Sequence, residues 1–153
     1  MDLSIIIPVY NKSKLINRCL DSIFKQTTIH SYEVVLVDDG STDDSVELIK
    51  ARTEGNIILY EQQNAGPSVA RNKGVELSHG KYCAYLDADD YWGDGFIEKT
   101  VSFLEEHDDC VAVNVAQRHL TLSGEHVAPV CYNEYSKPFV LDDFFLFWAD
   151  YMH

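Results

Sequence analysis

An α/β fold built on a mainly parallel central sheet is predicted by three features of this sequence. Short apolar runs rich in Val and Ile alternate with amphipathic stretches from Leu3 to about Ala116. The strongest runs lack polar alternation, the pattern of strands buried on both faces. Each run closes on a polar, Gly or Pro cluster before the next helix-spaced segment begins.

Leu3–Pro8 is a continuous apolar strand closed by proline. From Ser13 to Lys25, Leu15, Ile16, Cys19, Leu20, Ile23 and Phe24 recur at helical spacing. Glu33–Val37 is a second, β-branched strand that runs into Asp38-Asp39-Gly40-Ser41-Thr42. A helix over about Asp43–Ala51 follows, with Ser41 or Thr42 as its expected N-cap. Ile57–Tyr60 is the third strand. Asn64-Ala65-Gly66-Pro67 then introduces a helix over about Ser68–Leu77, Pro67 suiting a first-turn position. Gly80 turns into a fourth strand, Tyr82–Leu86, which ends in Asp87-Ala88-Asp89-Asp90. Phe96–Glu105 reads as a helix and Cys110–Ala116 as a fifth strand. Farther on, Thr121–Tyr135 suits a hairpin around Ser123-Gly124, and Leu141–Tyr151 an aromatic-rich helix.

With 153 residues, 46% of them apolar, the chain is long enough for one domain with a hydrophobic core. No apolar run approaches the roughly 20 residues that span a bilayer. Met1-Asp2-Leu3-Ser4 carries a negative charge where a signal peptide would be positive, so a cytoplasmic protein is expected. The four cysteines, Cys19, Cys83, Cys110 and Cys131, form no CxxC pair and are expected to be reduced, buried thiols. A net charge of −13 argues against nucleic acid, whose backbone needs clustered Lys and Arg. It leaves room for a nucleoside diphosphate if a divalent cation lies between carboxylates and phosphates.

Right-handed crossovers place the carboxyl ends of parallel strands along one edge, where ligands bind in such sheets. The polar clusters fall there: Tyr10-Asn11, Asp38-Asp39, and Asp87 to Asp90. Six carboxylates, Asp38, Asp39, Asp43, Asp87, Asp89 and Asp90, are therefore expected near one rim. Crowded carboxylates raise one another's pKa unless a cation intervenes. Mg²⁺ and Mn²⁺ prefer oxygen ligands and use one or two carboxylates plus substrate phosphates, so Asp89 is the expected metal ligand. Asp43 and Asp44 read instead as helix-opening acids. Asp38-Asp39 can ligate metal, or a lone carboxylate there can accept an N–H from a base. Arg71 is a cation for phosphates or, alternatively, a surface ion-pair partner. Gly66 permits close backbone approach or a positive φ.

Taken together, four segments resemble the family 2 glycosyltransferases, inverting enzymes of the Rossmann-like GT-A fold. They are Ser4-Ile5-Ile6-Ile7-Pro8-Val9-Tyr10-Asn11, Val37-Asp38-Asp39-Gly40-Ser41-Thr42-Asp43, Asn64-Ala65-Gly66-Pro67-Ser68-Val69-Ala70-Arg71-Asn72-Lys73-Gly74 and Leu86-Asp87-Ala88-Asp89-Asp90. They occur in the family's order over roughly residues 3–118. The resemblance implies a nucleotide-sugar-binding subdomain over 1–118 and the start of an acceptor-side region over 119–153. It implies a nucleotide pocket lined by Pro8, Val9, Tyr10 and Asn11, with Tyr10 near the base. Asp39, favoured over Asp38, accepts from uracil or another base. Asp87, with Ala88, lies by the ribose or sugar. Asp89 holds the Mn²⁺ or Mg²⁺ bound to the diphosphate, and Gly66 and Arg71 belong to the same pocket. The implied partners are a nucleotide-diphospho-sugar donor, UDP-sugar foremost, and a hydroxyl acceptor, in polysaccharide, capsule or glycolipid synthesis. Peripheral membrane association of a full-length protein is left open.

In this family the general base lies in a later acidic segment. Glu105-Glu106 and Asp108-Asp109 follow the Asp87-Ala88-Asp89 segment too closely, and Asp142-Asp143 is better explained as a helix start, so the base is expected beyond His153 in a C-terminally truncated chain. A non-catalytic nucleotide-sugar-binding fragment is one alternative. A phosphoacceptor receiver domain is another, through Asp38-Asp39, Asp87 and Lys137-Pro138-Phe139, but it leaves Leu3–Tyr32 and Asn64–Gly74 without a role.

Overall fold

The computed structural model describes residues 1–115 and the backbone of 119–120 and 126–127. The chain divides into two compact units, Met1–Glu105 and Glu106–His153.

In the first unit β1 (Leu3–Val9), β2 (Tyr32–Asp38), β3 (Ile57–Glu61) and β4 (Tyr82–Tyr85) form one sheet in the order β3-β2-β1-β4, with every pairing parallel. Helices α1 (Ile16–Phe24), α2 (Ser45–Lys50), α3 (Pro67–Leu77) and α4 (Phe96–Glu106) make the connections or follow the last strand. The alternation of side chains along a strand decides which layer each residue joins. Leu3, Ile5, Ile7 and Val9 of β1 and Val34 and Leu36 of β2 pack with Ile16, Cys19, Leu20 and Ile23 of α1, Ile49 of α2, and Ile97 and Val101 of α4. Val35 and Val37 face the other way and meet Ala70 of α3. Ile6 shares that second face, where α3 lies so close that a Cβ on Gly74 would come within 2.3 Å of the Ile6 side chain. Only glycine admits this approach of helix to sheet.

At the amino-terminal end of the sheet, Glu33 is buried yet charged. Its Oε1 accepts from Ser4 Oγ at 2.7 Å and from the His79 backbone N–H at 2.7 Å, and His79 Nδ1 lies 3.3 Å from Oε2. Burial pushes this carboxyl up, but the hydrogen bonds from Ser4 and His79 outweigh burial and hold it below its ordinary value of 4.5. A depressed folded-state pKa contributes stability above the unfolded value and loses it as pH falls through the folded one. Glu33→Gln is therefore expected to lower unfolding free energy by about 1–3 kcal/mol near neutral pH. Urea denaturation should show that deficit shrinking as pH falls below 4.5.

The structure departs from several expectations. Residues 110–115 form no strand, although Cys110–Ala116 reads as one; Ala116 lies outside the described residues. The α2 N-cap is Asp44, not Ser41 or Thr42. Cys19 is buried as expected, but Cys83 is exposed because, among the described residues, β4 is the last strand of the sheet and no element covers that face of it, and Cys131 lies outside the described residues. In the second unit, β5 (His119–Leu120) and β6 (His126–Val127) pair antiparallel, and Ser123-Gly124 lies outside the described residues. The remainder of the expected hairpin and the Leu141–Tyr151 helix lie outside the described residues. Among the described residues no helix is long and apolar enough to cross a membrane.

Candidate functional site

The sheet itself opens a crevice at its carboxyl edge. The chain runs from β1 outward to β2 and β3, then returns to the other side of β1 as β4, so strand order reverses between β1 and β4. The last link across that gap is Leu86 N–H to the Ile6 carbonyl, 3.1 Å. Pro8, next on β1 to face β4, has no N–H to continue the ladder. β1 and β4 part from each other there while β1 stays paired with β2, at the kind of switch point where α/β sheets bind ligands.

Beyond β1, Tyr10 is 48% exposed at the mouth of the crevice. Asn11 takes a left-handed φ of 52°, rare for a residue other than glycine and most tolerated by Asn and Asp. The following backbone is bound to the loop after β2. Asn11 N–H donates to Ser41 Oγ at 2.9 Å, Lys12 N–H to Ser45 Oγ at 2.8 Å and Ser13 N–H to Asp43 Oδ2 at 3.0 Å, while Thr42 N–H donates to Asn11 Oδ1 at 2.8 Å. Asn11 and Asp43 thus fix the rim's shape. Burial raises the Asp43 carboxyl, but hydrogen bonds from Ser45 and Ser13 overcome this and leave it strongly lowered. Val9 and Ala88 are each 1% exposed and belong to the hydrophobic core, so neither presents its side chain to a pocket. Strand alternation, which turns Val9 inward, explains the first; the second anchors the Asp87–Asp90 turn from beneath.

The two aspartates after β2 separate onto opposite faces. Asp38 Oδ2 accepts the Gly40 and Ser41 N–H groups, making a turn. Asp39 faces α3. Its Oδ1 accepts from Gln62 Nε2 and Ala65 N–H, and its Oδ2 from Gly66 N–H, all at 2.8 Å. Burial pushes the Asp39 carboxyl up, but these bonds from Ala65, Gln62 and Gly66 outweigh it and keep the group low and ionised. A carboxylate oxygen has two lone pairs, so Oδ2 retains one for another donor. Gly66 is a glycine because its φ is 94°; a Cβ there would meet nothing within 4 Å.

After β4, Asp90 N–H donates to the Asp87 carbonyl at 2.9 Å and closes a turn. Arg71 of α3 lies 2.5 Å from Asp87 Oδ1. Lys12 Nζ lies 2.6 Å from Asp89 Oδ2, and this bond, ahead of burial, holds the Asp89 carboxyl below its ordinary range. Helix α1 grips the rest of the segment. Arg18 Nη2 donates to the Asp89 carbonyl at 2.7 Å and its guanidinium lies over the Tyr91 ring. Ser22 accepts from Trp92 N–H, and Gln26 bridges the Gly93 carbonyl and Phe96 N–H. Trp92 stacks on Phe96 with centroids 4.0 Å apart. Cys19 lies beneath this turn, and burial, then the nearby Asp90 and Asp89 charges, push its thiol up to about 12, which keeps it a neutral packing group.

The expected rim of six aspartates is therefore not one cluster. Among the described residues no three acidic, histidine or cysteine side chains converge on a point that suits a metal ion. Asp39 and Asp43 are occupied in loop hydrogen bonds and Asp38 through Oδ2 alone, its buried Oδ1 having no partner, whereas Asp87 and Asp89 stand half-exposed, each facing a cation. Sequence reasoning missed Lys12, Arg18 and Gln62. Each is an ordinary polar residue in its local pattern and reaches its aspartate only through the fold.

The model of glycosyl transferase family 2 matches residues 4–141. The chain belongs to this glycosyltransferase family. Among curated relatives, the Escherichia coli K12 glycosyltransferase YibD is 47% identical over 58% of this chain and 26% of its own length. The poly(ribitol-phosphate) β-glucosyltransferase of Bacillus spizizenii is 37% identical over 70% of this chain and 18% of its own. The chain thus spans about a quarter or less of the length of these relatives. Staphylococcus aureus TarS, solved with UDP-GlcNAc, superposes with a TM-score of 0.67 at 33% identity, over 71% of this chain and 32% of that one. A Pyrobaculum calidifontis mannosyltransferase, solved with GDP-Man and Mn²⁺, gives 0.62 at 27% identity, over 67% and 32%. The fold is the GT-A fold shared with these structures. Family membership leaves the receiver-domain alternative without support.

Proposed function

We propose that the first unit, Met1–Glu105, forms the donor pocket of a transferase that moves a sugar from a nucleoside diphosphate, UDP foremost, to a hydroxyl acceptor with inversion. The observation that carries this reading is the pairing of Asp87 with Arg71 and of Asp89 with Lys12 at the strand-order switch point. Two half-exposed carboxylates and two movable cations beside a crevice suit a ligand that brings both phosphate charge and a counter-ion. In this reading the Tyr10 ring stacks on the base, and the remaining lone pair of Asp39 Oδ2 accepts a base N–H. Asp87 takes a hydroxyl of the ribose or sugar, and Arg71 is released toward phosphate.

The residues present fit Mn²⁺ or Mg²⁺ held in a nucleotide-dependent way. Asp89, with Asp87 nearby in sequence, offers hard oxygen donors, and the lack of a third acidic side chain among the described residues leaves positions for phosphate oxygens and water. A divalent ion bound there supplies Lewis-acid stabilisation of the departing diphosphate. Support also comes from the ligands of the two solved relatives, UDP-GlcNAc in one and GDP-Man with Mn²⁺ in the other. During transfer the acceptor oxygen forms a bond to the anomeric carbon as the bond to diphosphate breaks, and the acceptor's proton passes to a carboxylate base. No described residue is assigned that base; Asp142-Asp143 lies outside the described residues. We place the reaction in the cytoplasm, in polysaccharide, capsule or glycolipid synthesis.

Calorimetry with UDP tests the donor reading. Affinity in Mn²⁺ should exceed that in EDTA at least about tenfold, the effect of one charge-assisted contact of about 1.4 kcal/mol. Equal affinities would contradict it.

A further inference from the structure

Lys12 takes no part in holding its own loop through its side chain. Its backbone N–H is fixed by Ser45, and its neighbours are fixed by Ser41 and Asp43, so the ammonium alone is free to move. That ammonium crosses from the end of β1 to Asp89 Oδ2, 2.6 Å away, on the far side of the switch-point crevice. Both side chains remain partly exposed, at 33% and 45%. Arg18 is the second cation here; its hydrogen bond goes to the Asp89 carbonyl and its guanidinium lies over the Tyr91 ring, so it positions the turn, and its charge acts on the carboxylate less than that of Lys12.

We propose that Lys12 is an exchangeable counter-ion: it neutralises Asp89 in the empty site and turns to the donor's diphosphate when Asp89 takes a divalent cation. The inference rests on the donor-pocket reading and adds a residue and an order of events to it. Two cations sharing one carboxylate repel each other, so Lys12 opposes metal uptake when no nucleotide is present. A diphosphate reverses the sign, because its oxygens give the displaced ammonium a new partner. Lys12 thereby couples the two ligands, which favours their binding together over metal alone.

The test uses the whole chain and the variant Lys12→Met, which keeps the backbone N–H to Ser45 and the aliphatic stem. Free Mn²⁺ is measured by electron paramagnetic resonance without nucleotide, and UDP and uridine binding by calorimetry. Lys12→Met should bind Mn²⁺ about fivefold more tightly, the upper range for loss of a half-exposed ion pair. Its UDP affinity in Mn²⁺ should fall about tenfold, and its uridine affinity should match the parent's. Lys12→Arg should restore most of the UDP affinity. Unchanged or weaker Mn²⁺ binding in Lys12→Met, or unchanged UDP affinity, overturns the inference while leaving the donor pocket standing. If the folded parent protein binds neither Mn²⁺ nor UDP, the donor reading fails and this inference with it.

Discussion

Replacing Asp89 by asparagine is expected to lower the affinity for UDP in Mn²⁺ by about 100-fold, close to 3 kcal/mol. The change removes the charge of the proposed metal ligand and keeps its shape. Arg18 still holds the backbone carbonyl and α1 still holds the turn through Ser22 and Gln26, so the site's frame survives. Three readouts separate this from general damage. Uridine affinity should not change, because the proposed base contact, Asp39, lies on the other side of β1. Thermal stability should change little, since a half-exposed ion pair such as Lys12–Asp89 contributes about 1 kcal/mol at most. UDP affinity in EDTA should fall far less than in Mn²⁺. Unchanged Mn²⁺-dependent affinity would remove Asp89 from the proposed site.

Asp39→Asn should have the second largest effect, with the opposite pattern. Uridine affinity should fall about 30-fold with or without metal, the combined result of losing a charged acceptor and disturbing the loop behind it. The new amide can still accept from Gln62 and Ala65 on its oxygen, but its NH₂ group then faces the Gly66 N–H, donor against donor. Because Gly66 opens α3, the disturbance also reaches Arg71 and its bond to Asp87. Unfolding free energy should drop by about 1 kcal/mol as a part-buried donor loses its partner. Calorimetry with uridine and urea denaturation check the two halves. Equal uridine affinity of parent and variant rejects the base contact.

These two aspartates also mark how far the sequence could be read. The strands were legible because Ile5-Ile6-Ile7 and Val34-Val35-Leu36-Val37 need burial on both faces, which only a covered parallel sheet provides. The helices were legible from their apolar spacing, and Pro67 after Gly66 marked the start of α3 correctly. Cys110–Val115 was misread because an apolar run becomes a strand only if a neighbour pairs with it, and pairing is not a local property. Cys83 was placed inside for a related reason: its segment is a strand, but among the described residues it is the last of the sheet and that face of it is uncovered.

For the site, position along the sheet edge was legible and partnership was not. The acidic clusters do follow β2 and β4. What each carboxylate touches depends on residues far along the chain: Lys12 and Asp89 are 77 positions apart, and Gln62 and Asp39 are 23 apart. Hence the expected shared rim resolved into aspartates that shape loops and aspartates that face cations. Val9 and Ala88 illustrate the finer limit, since a residue inside a binding motif can serve the core with its side chain while its neighbours face the ligand.

In the proposed site Asp89 and a nucleoside diphosphate share one divalent ion beside the β1–β4 gap. Crystals of the chain grown with UDP and Mn²⁺, with diffraction recorded at the manganese absorption edge, test it directly. An anomalous peak in contact with both Asp89 and the diphosphate is expected, with Lys12 turned away from the carboxylate. Nucleotide bound with no such peak, or manganese held elsewhere while Lys12 remains on Asp89, would contradict it.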